Sequence, residues 1–284
     1  MVKIKSRTVH ISKPITQAVK MMQLETNFPC HWTPNLESIS ILINSDSIMG
    51  GITSFNPPWT LTHVETDAGL KLLNSGNYKG APLSKIQSII TQYLDKNYKN
   101  ANFIFTDGAR SHDGKVGAAV FIPSLSLKLA YRLSDNISVN TAELDAIFQA
   151  ISLIIKYGIQ RPVILTDSLN AINALSNPAI FCDSTVHVCL DLISNMTTPP
   201  VISYIPGHVG IPEHDAVDRL AKEATALPSI NRAICPITDD VYERLKDHYR
   251  ILGPTLVRSG KTGLNYLKLF PNGKPMTEKL MPRK

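Results

Sequence analysis

Short apolar runs recur along the middle of the chain and predict strands. They lie at residues 103–106, 116–122, 127–133, 163–166 and 201–204. Longer stretches with apolar positions at helical spacing predict helices at residues 140–157, 168–175, 183–196 and 212–226. Short turns join the first three strands, which therefore form a predicted antiparallel meander. Three strands followed by alternating helices and strands predict an α/β domain, in which a five-stranded mixed sheet is flanked by helices.

The pattern is weaker on both sides of this domain, which we place at residues 98–228. The N-terminal flank, residues 1–97, mixes short strand-like runs with loops, and residues 84–94 have the spacing of a helix. The C-terminal flank, residues 229–284, is polar and basic, with a predicted helix at residues 239–249. We therefore expect one structured domain between an irregular N-terminal region and a basic tail.

The composition excludes several classes of protein. Hydrophobic residues make up 43% of the chain and charged residues 18%, which is ordinary for a globular protein and argues against disorder and coiled coil. Polar residues interrupt the longest apolar candidate, residues 146–159, so we expect no membrane span. The four cysteines form no Cys-x-x-Cys pair. This favours reduced thiols in an intracellular protein, with nucleus and cytoplasm not distinguished.

Charge is distributed unevenly along the chain. Residues 101–228 contain 8 Lys and Arg against 12 Asp and Glu, a net charge of −4. The flanks have the opposite sign, +4 for residues 1–100 and +6 for residues 229–284. Basic flanks favour a polyanionic partner such as nucleic acid, although a solvated tail is the simpler interpretation of charge alone. No pattern indicates a protein partner.

Four acidic residues stand out, and each has an ordinary structural interpretation. Asp107 precedes a glycine in a dipeptide that is common in turns. Glu143 has the position of a capping-box glutamate, and Asp167 is placed to cap the following helix. Asp218 is placed to pair with Lys222 one helical turn away. Taken one at a time, these interpretations are the better ones.

Together the four acids indicate a different role. Asp107 and Asp167 follow neighbouring predicted strands, and Glu143 shares the apolar stripe of its helix with Ile147. Carboxylates that converge at one edge of a sheet repel one another unless cations are present. Hard divalent ions with oxygen ligands, above all Mg²⁺, suit such a site, and two of them can promote phosphodiester hydrolysis.

A histidine lies in the loop between the last strand and the last helix. This residue, His208, is flanked by Gly207 and Gly210. It can transfer protons near neutral pH, and the alternative is an exposed imidazole without a role. A zinc site formed by His208 and His214 is a third interpretation, which the lack of a nearby cysteine disfavours.

These motifs resemble, in order and spacing, those of a type 1 ribonuclease H. They are Thr106-Asp107-Gly108, Thr141-Ala142-Glu143-Leu144, Thr166-Asp167-Ser168 and the segment 206–221, which contains Pro206-Gly207-His208 and Ala216-Val217-Asp218. The resemblance covers about residues 98–228. It implies a ribonuclease H-like fold and a two-metal endonuclease that cuts the RNA strand of RNA–DNA hybrids.

The resemblance also implies roles for individual residues. The four acids match the family's ligands for two Mg²⁺ ions, with Mn²⁺ as an alternative, and His208 matches its mobile loop histidine. Asn140 matches a position that contacts the RNA 2′-hydroxyl, and Ser168 is a second implied substrate contact. The domain further resembles that of non-LTR retrotransposon polyproteins, because Pro57-Pro58-Trp59 precedes it and a basic tail follows it. No Tyr/Phe-x-Asp-Asp polymerase motif is present, so we expect a fragment or a stand-alone relic of such an element.

Two positions depart from the family's pattern. Tyr204 stands where tryptophan is usual, which keeps an aromatic ring. His214-Asp215 stands where Asn-Glu is usual, which changes a residue that orients the loop.

Two other interpretations stay open. An aspartic protease using Asp107 and Asp167 is disfavoured by the helices between them. A catalytically impaired relic that binds hybrid is disfavoured because all four acids are present.

Overall fold

The computed structural model describes residues 64–74, 78, 80–135, 137–177, 184–234, 236 and 240. Its helices and strands lie within one compact unit, Glu37–Ile237. The strands are β1 (Thr66–Asp67), β2 (Asn102–Arg110), β3 (Val116–Ile122), β4 (Leu127–Arg132), β5 (Pro162–Thr166) and β6 (Val201–Tyr204). The α-helices are α1 (Leu83–Asn97), α2 (Val139–Tyr157), α3 (Leu169–Ser176), α4 (Ser184–Ser194) and α5 (Pro212–Thr225). Short 3₁₀ helices occupy Gly69–Asn74 and Pro123–Leu125.

The strands form one mixed sheet in the order β1-β6-β5-β2-β3-β4. The predicted meander is confirmed, since β2, β3 and β4 are antiparallel neighbours. The other pairs, β2 with β5, β5 with β6, and β6 with β1, are parallel. The predicted α/β architecture is therefore confirmed, with six strands in the described part of the chain rather than the predicted five. The additional strand, β1, has two residues and is too short to produce a periodic sequence pattern.

Helices α2 and α5 cover opposite faces of the sheet. A Cβ at Gly108 would lie 2.7 Å from the backbone nitrogen of Glu143, at the start of α2. A Cβ at Gly117 would lie 2.3 Å from the carbonyl oxygen of Ala221 in α5. Gly117 pairs with Ala109, and neighbouring strand residues point to opposite faces. These glycines allow both helices to approach the strands closely.

Strand β2 is longer than the sequence pattern predicted. It continues through Arg110, so that Asp107 lies inside the strand and pairs with Ala119 of β3. The turn interpretation of Asp107 is therefore wrong. The chain turns later, where the backbone N–H of Gly114 donates to the carbonyl of Ser111.

Helix α1 and strand β1, which precede the predicted domain, are joined by one carboxylate. The Tyr93 hydroxyl donates to both oxygens of Asp67 at 2.8 Å, and the Tyr98 hydroxyl donates to Asp67 Oδ2. The backbone N–H of Gly69 at 2.8 Å and the hydroxyl of Ser203 at 3.4 Å complete this Asp67 network. Because Ser203 belongs to β6, the network attaches α1 and β1 to the edge of the sheet.

The chain returns to the sheet after α5. Asn231 donates its backbone N–H to the carbonyl of Arg132. The Arg232 guanidinium pairs with Asp145 of α2 at 2.6 Å and lies over the ring of Phe148. The first cation of the predicted basic tail is therefore already paired within the protein, which makes it a poor candidate for a phosphate contact.

Several sequence predictions fall outside the described residues. They include the helix at residues 239–249, the segment Pro57-Pro58-Trp59 and most of both flanks. Within the described residues, no helix combines the length and the hydropathy that a membrane span requires.

Candidate active site

Three carboxylates from three different elements meet at the C-terminal end of β5, between the central strands of the sheet. Phe105 of β2 pairs with Leu165 of β5, so Asp107 and Asp167 occupy equivalent positions two residues further along two parallel neighbours. Glu143 comes from the first turns of α2. Each residue offers one carboxylate oxygen, and these atoms all lie within 4.8 Å of one another. We call Asp107, Glu143 and Asp167 the acid cluster.

Burial and mutual repulsion disfavour the ionised form of these carboxylates. Asp107 and Glu143 are each 5% exposed. Burial, then the charges of Asp167 and Asp218, raises the pKa of Asp107 to about 8. Burial and the neighbouring Asp107 and Asp167 raise the pKa of Glu143 well above its usual value. A site that crowds carboxylates in this way favours a bound cation over the free anions.

The chemistry of the donors fits a divalent metal ion. Glu143 Oε2 is buried and has no hydrogen-bond partner among the described residues. The backbone N–H of Gly108 favours the ionised forms of Asp107 and Glu143, but burial outweighs this hydrogen bond. Buried polar atoms nearly always have a partner, so a carboxylate oxygen left without one suits a ligand. Oxygen-only coordination is typical of Mg²⁺ and Mn²⁺.

The ordinary interpretations of two of the acids are wrong. Ser138 Oγ caps α2 by accepting from the N–H of Thr141 at 3.1 Å, so Glu143 lies beyond the capping position. Ser168 Oγ caps α3 by accepting from the N–H of Ala171 at 3.2 Å. Asp167 is therefore not the cap of α3, and its carboxylate belongs to the acid cluster.

The fourth predicted ligand, Asp218, lies beside the cluster rather than in it. It comes from α5, and its side chain is 22% exposed. Its charge contributes to the raised pKa of Asp107, so the two are electrostatic neighbours. It is absent from the group within 4.8 Å and pairs with Lys222 at 2.7 Å. The ion pair predicted for Asp218 is therefore formed, and metal binding by Asp218 stays a prediction.

The other predicted site residues, His208, Asn140 and Ser168, are exposed or half-buried. His208 is exposed and has a left-handed backbone, with φ of 57°. Asn140 is exposed and accepts a hydrogen bond from the Asn170 amide at 3.1 Å. The substrate contacts predicted for Asn140 and Ser168 stay predictions.

The loop that carries His208 touches the acid cluster through its backbone. A Cβ at Gly207 would lie 2.2 Å from Asp167 Oδ2, so only a glycine fits there without displacing the carboxylate. This contact explains why glycine precedes the histidine. It also places the start of the loop directly against the acid cluster.

His214 has surroundings that the sequence did not reveal. It is 2% exposed, and neither ring nitrogen has a hydrogen-bond partner among the described residues. Burial lowers its pKa, against the opposing charges of Asp167 and Asp215. His214 lies one helical turn before Asp218, hence on the same side of α5. The departure from the family's asparagine was the one signal in the sequence that marked this position.

One comparison with known families matches the part of the chain that carries this geometry. Residues 99–226 match the family model of RNase H, a span of a little under half the chain. This match supports an RNase H domain there and, at the level of the family, an RNA–DNA hybrid ribonuclease that binds nucleic acid. No curated protein matches the chain.

Proposed function

We propose that the chain is a ribonuclease H that hydrolyses the RNA strand of RNA–DNA hybrids at the acid cluster. The observation that carries the proposal is the convergence of Asp107, Glu143 and Asp167, with a buried Glu143 oxygen left without a partner. All three residues lie within the span that matches the RNase H family.

Divalent ions complete the proposed site. Asp107, Glu143 and Asp167 are the proposed ligands, with Asp218 joining them if it releases Lys222. Two Mg²⁺ ions, or Mn²⁺ in their place, would lower the pKa of a coordinated water and stabilise the departing oxygen of a phosphodiester. Asn140 would bind the RNA 2′-hydroxyl, which distinguishes RNA from DNA. Ser168 is a second proposed substrate contact, and His208 would transfer a proton from the exposed loop.

The test is cleavage of a labelled RNA strand. The full chain should cut RNA in a hybrid when Mg²⁺ is supplied and stop cutting when EDTA is added. Single-stranded RNA and duplex DNA of the same sequence should stay intact. Cleavage that is independent of divalent ions, or equal cutting of single-stranded RNA, would overturn the proposal.

A catalytically impaired, hybrid-binding relic is the second candidate. Two observations favour it: the ion pair between Asp218 and Lys222, and the imidazole of His214, which has no hydrogen-bond partner among the described residues. Hybrid that is bound with the expected salt dependence, but left uncut in Mg²⁺ and in Mn²⁺, would establish this candidate in place of the enzyme.

We further propose that the basic tail binds the phosphates of the hybrid. A domain of net charge −4 gains little from counterion release unless cations elsewhere contact phosphate. The chain ending at Ile237 keeps the Arg232–Asp145 pair and removes the remaining tail. It should bind hybrid more weakly than the full chain, with a shallower dependence on salt. Equal slopes for the two proteins would show that the tail makes no phosphate contact.

We also propose that the domain derives from a non-LTR retrotransposon and acts inside the cell. Support comes from Pro57-Pro58-Trp59 before the domain and from the basic tail after it. A reverse transcriptase reading frame beside the coding sequence would support this origin. Its absence from every genomic copy would contradict it.

A further inference from the structure

Helix α1 lies outside the span that matches the RNase H family, yet it contacts the loop that carries His208. The Gln87 amide donates to the carbonyl oxygen of Val209 at 3.1 Å and to that of Gly210 at 2.9 Å. Since both partners are acceptors, only the NH₂ end of the amide can make these bonds. One side chain therefore holds the two residues that follow the histidine.

The loop is shaped to receive this amide. Gly210 has a φ of 74°, and a Cβ there would lie 2.6 Å from Gln87 Nε2. Any other residue would be strained in this conformation and would displace the amide. His208 also has a left-handed backbone, which costs energy for a residue with a side chain and needs surrounding contacts to hold it.

Helix α1 is a firm support for such a contact. Ile90 is fully buried and Leu94 is 9% exposed, so the helix is packed into the core. Tyr93 donates to Asp67 in β1, and β1 pairs with β6. Strand β6 leads directly into the loop. The loop is thus connected to α1 at both of its ends. The sheet connects the beginning of the loop, and Gln87 connects its end.

We propose that Gln87 is a positioning residue that sets where His208 is presented to the scissile phosphate. This inference rests on the proposed function, because His208 is the group that the loop presents. The described hydrogen bonds of the Gln87 amide go to the backbone of Val209 and Gly210, so Gln87 acts on His208 through the backbone of the loop. The segment before the RNase H domain is then part of its catalytic unit.

The first test measures the loop without using activity. Hydrogen–deuterium exchange of the peptide containing Val209 and Gly210 is compared among four full-length proteins. Wild type and Gln92→Ala should exchange equally, because Gln92 and its hydrogen-bond partner Ser88 are both exposed on α1. Gln87→Ala and Gln87→Glu should exchange faster, the second because it places a carboxylate against two carbonyl oxygens. Equal exchange in all four would overturn the proposal.

The second test measures catalysis in a double-mutant cycle. Gln87→Ala should lower kcat by about 5-fold to 30-fold, the range that corresponds to one or two hydrogen bonds of ordinary strength. KM for hybrid and the Mg²⁺ dependence should stay as in wild type, and Gln92→Ala should match wild type. Combined with His208→Ala, Gln87→Ala should cause no further loss, because the positioned group is already absent.

The outcomes separate this inference from the proposed function. Additive losses in the cycle would overturn positioning of His208, even if exchange shows that the loop is anchored. If the wild-type chain cuts no hybrid, the proposed function fails and the positioning role fails with it. The exchange data would still establish whether Gln87 anchors the loop.

Discussion

The Asp67 network and the acid cluster surround their carboxylates in opposite ways within the same domain. Asp67 accepts hydrogen bonds from Tyr93, Tyr98, Ser203 and the backbone of Gly69. These bonds outweigh the effect of burial and lower its pKa. In the acid cluster, burial and neighbouring carboxylates dominate instead, and the pKa of Asp107 rises to about 8.

The contrast distinguishes a carboxylate that joins two elements from carboxylates whose surroundings suit a metal ion. A carboxylate that joins two elements is stable when donors surround it, and Asp67 has four. In the acid cluster, the backbone N–H of Gly108 donates to Asp107 and Glu143, and one oxygen of Glu143 has no partner among the described residues. The unsatisfied acceptor on Glu143 and the mutual repulsion of the carboxylates reduce the stability of the protein without metal and favour the binding of cations.

The largest expected effect is the loss of cleavage in Asp107→Asn. The amide keeps the shape of the side chain but removes a charged ligand, so hydrolysis of hybrid should fall below detection. The same variant should be more stable than wild type without metal at pH 8, because one repulsive charge is gone. Urea denaturation in EDTA measures the stability. Asp113→Asn, on the exposed turn between β2 and β3, is the matched control and should cut at the wild-type rate. A near wild-type rate in Asp107→Asn would contradict the metal assignment.

The second effect is an unusual dependence of stability on pH. In the unfolded chain Asp107 titrates near its ordinary value of 3.8, and in the fold its pKa is about 8. Between these values the folded protein binds more protons, so stability in EDTA should fall as pH rises from about 5 to about 8. Saturating Mg²⁺ should reduce this fall, because the ions bind the ionised folded protein.

Asp107→Asn isolates this contribution from that of the histidines. The variant should lose stability less steeply than wild type across the same window in EDTA. Identical slopes for the two proteins would show that Asp107 titrates in the fold as it does in the unfolded chain.

Loss of the Asp67 charge should lower the stability of the protein, whereas loss of the Asp107 charge should raise it. Asp67→Ala leaves the hydroxyls of Tyr93 and Tyr98 without their acceptor and should lower the free energy of unfolding at pH 7 by roughly 1–3 kcal/mol. The contribution of Asp67 is present above pH 3.8 and disappears as pH falls below it, since its folded pKa is lowered. Asp95 is exposed on α1, the helix that contains Tyr93. Asp95→Asn is the control and should change the free energy of unfolding by less than about 0.5 kcal/mol. Equal effects would show that Asp67 contributes no more than a surface charge.

The smallest expected effect concerns His214. His214→Leu keeps a similar volume and removes two unpaired polar atoms, so the free energy of unfolding should rise by about 1 kcal/mol. His214→Asn restores the family's residue and should leave the rate of hydrolysis unchanged or raise it. A loss of stability in His214→Leu, measured by urea denaturation, would show that the imidazole has a partner such as a bound water.

Local sequence patterns were sufficient for the α/β fold and for the three residues of the acid cluster. The apolar runs of β3 and β4 alternate with turn residues, and α2 has its apolar stripe, so short-range periodicity specified them. Asp107, Glu143 and Asp167 each lie at a recognisable place in such an element. Asp107 and Asp167 lie close together because β2 and β5 pair in parallel, a pairing that the order of the elements already indicates.

Tertiary structure alone decided the remaining features, because they depend on contacts between distant segments. Strand β1 is too short for a pattern and exists through its pairing with β6. The bond from Gln87 to Gly210 joins residues 123 positions apart, and the bond from Ser203 to Asp67 spans 136 positions. Asp218 lies in a motif that resembles the family's and also forms the ion pair with Lys222. Whether Asp218 binds a metal ion or pairs with Lys222 depends on the position of α5 beside the acid cluster. Periodicity records which face of an element is buried, but not which distant side chain that face meets.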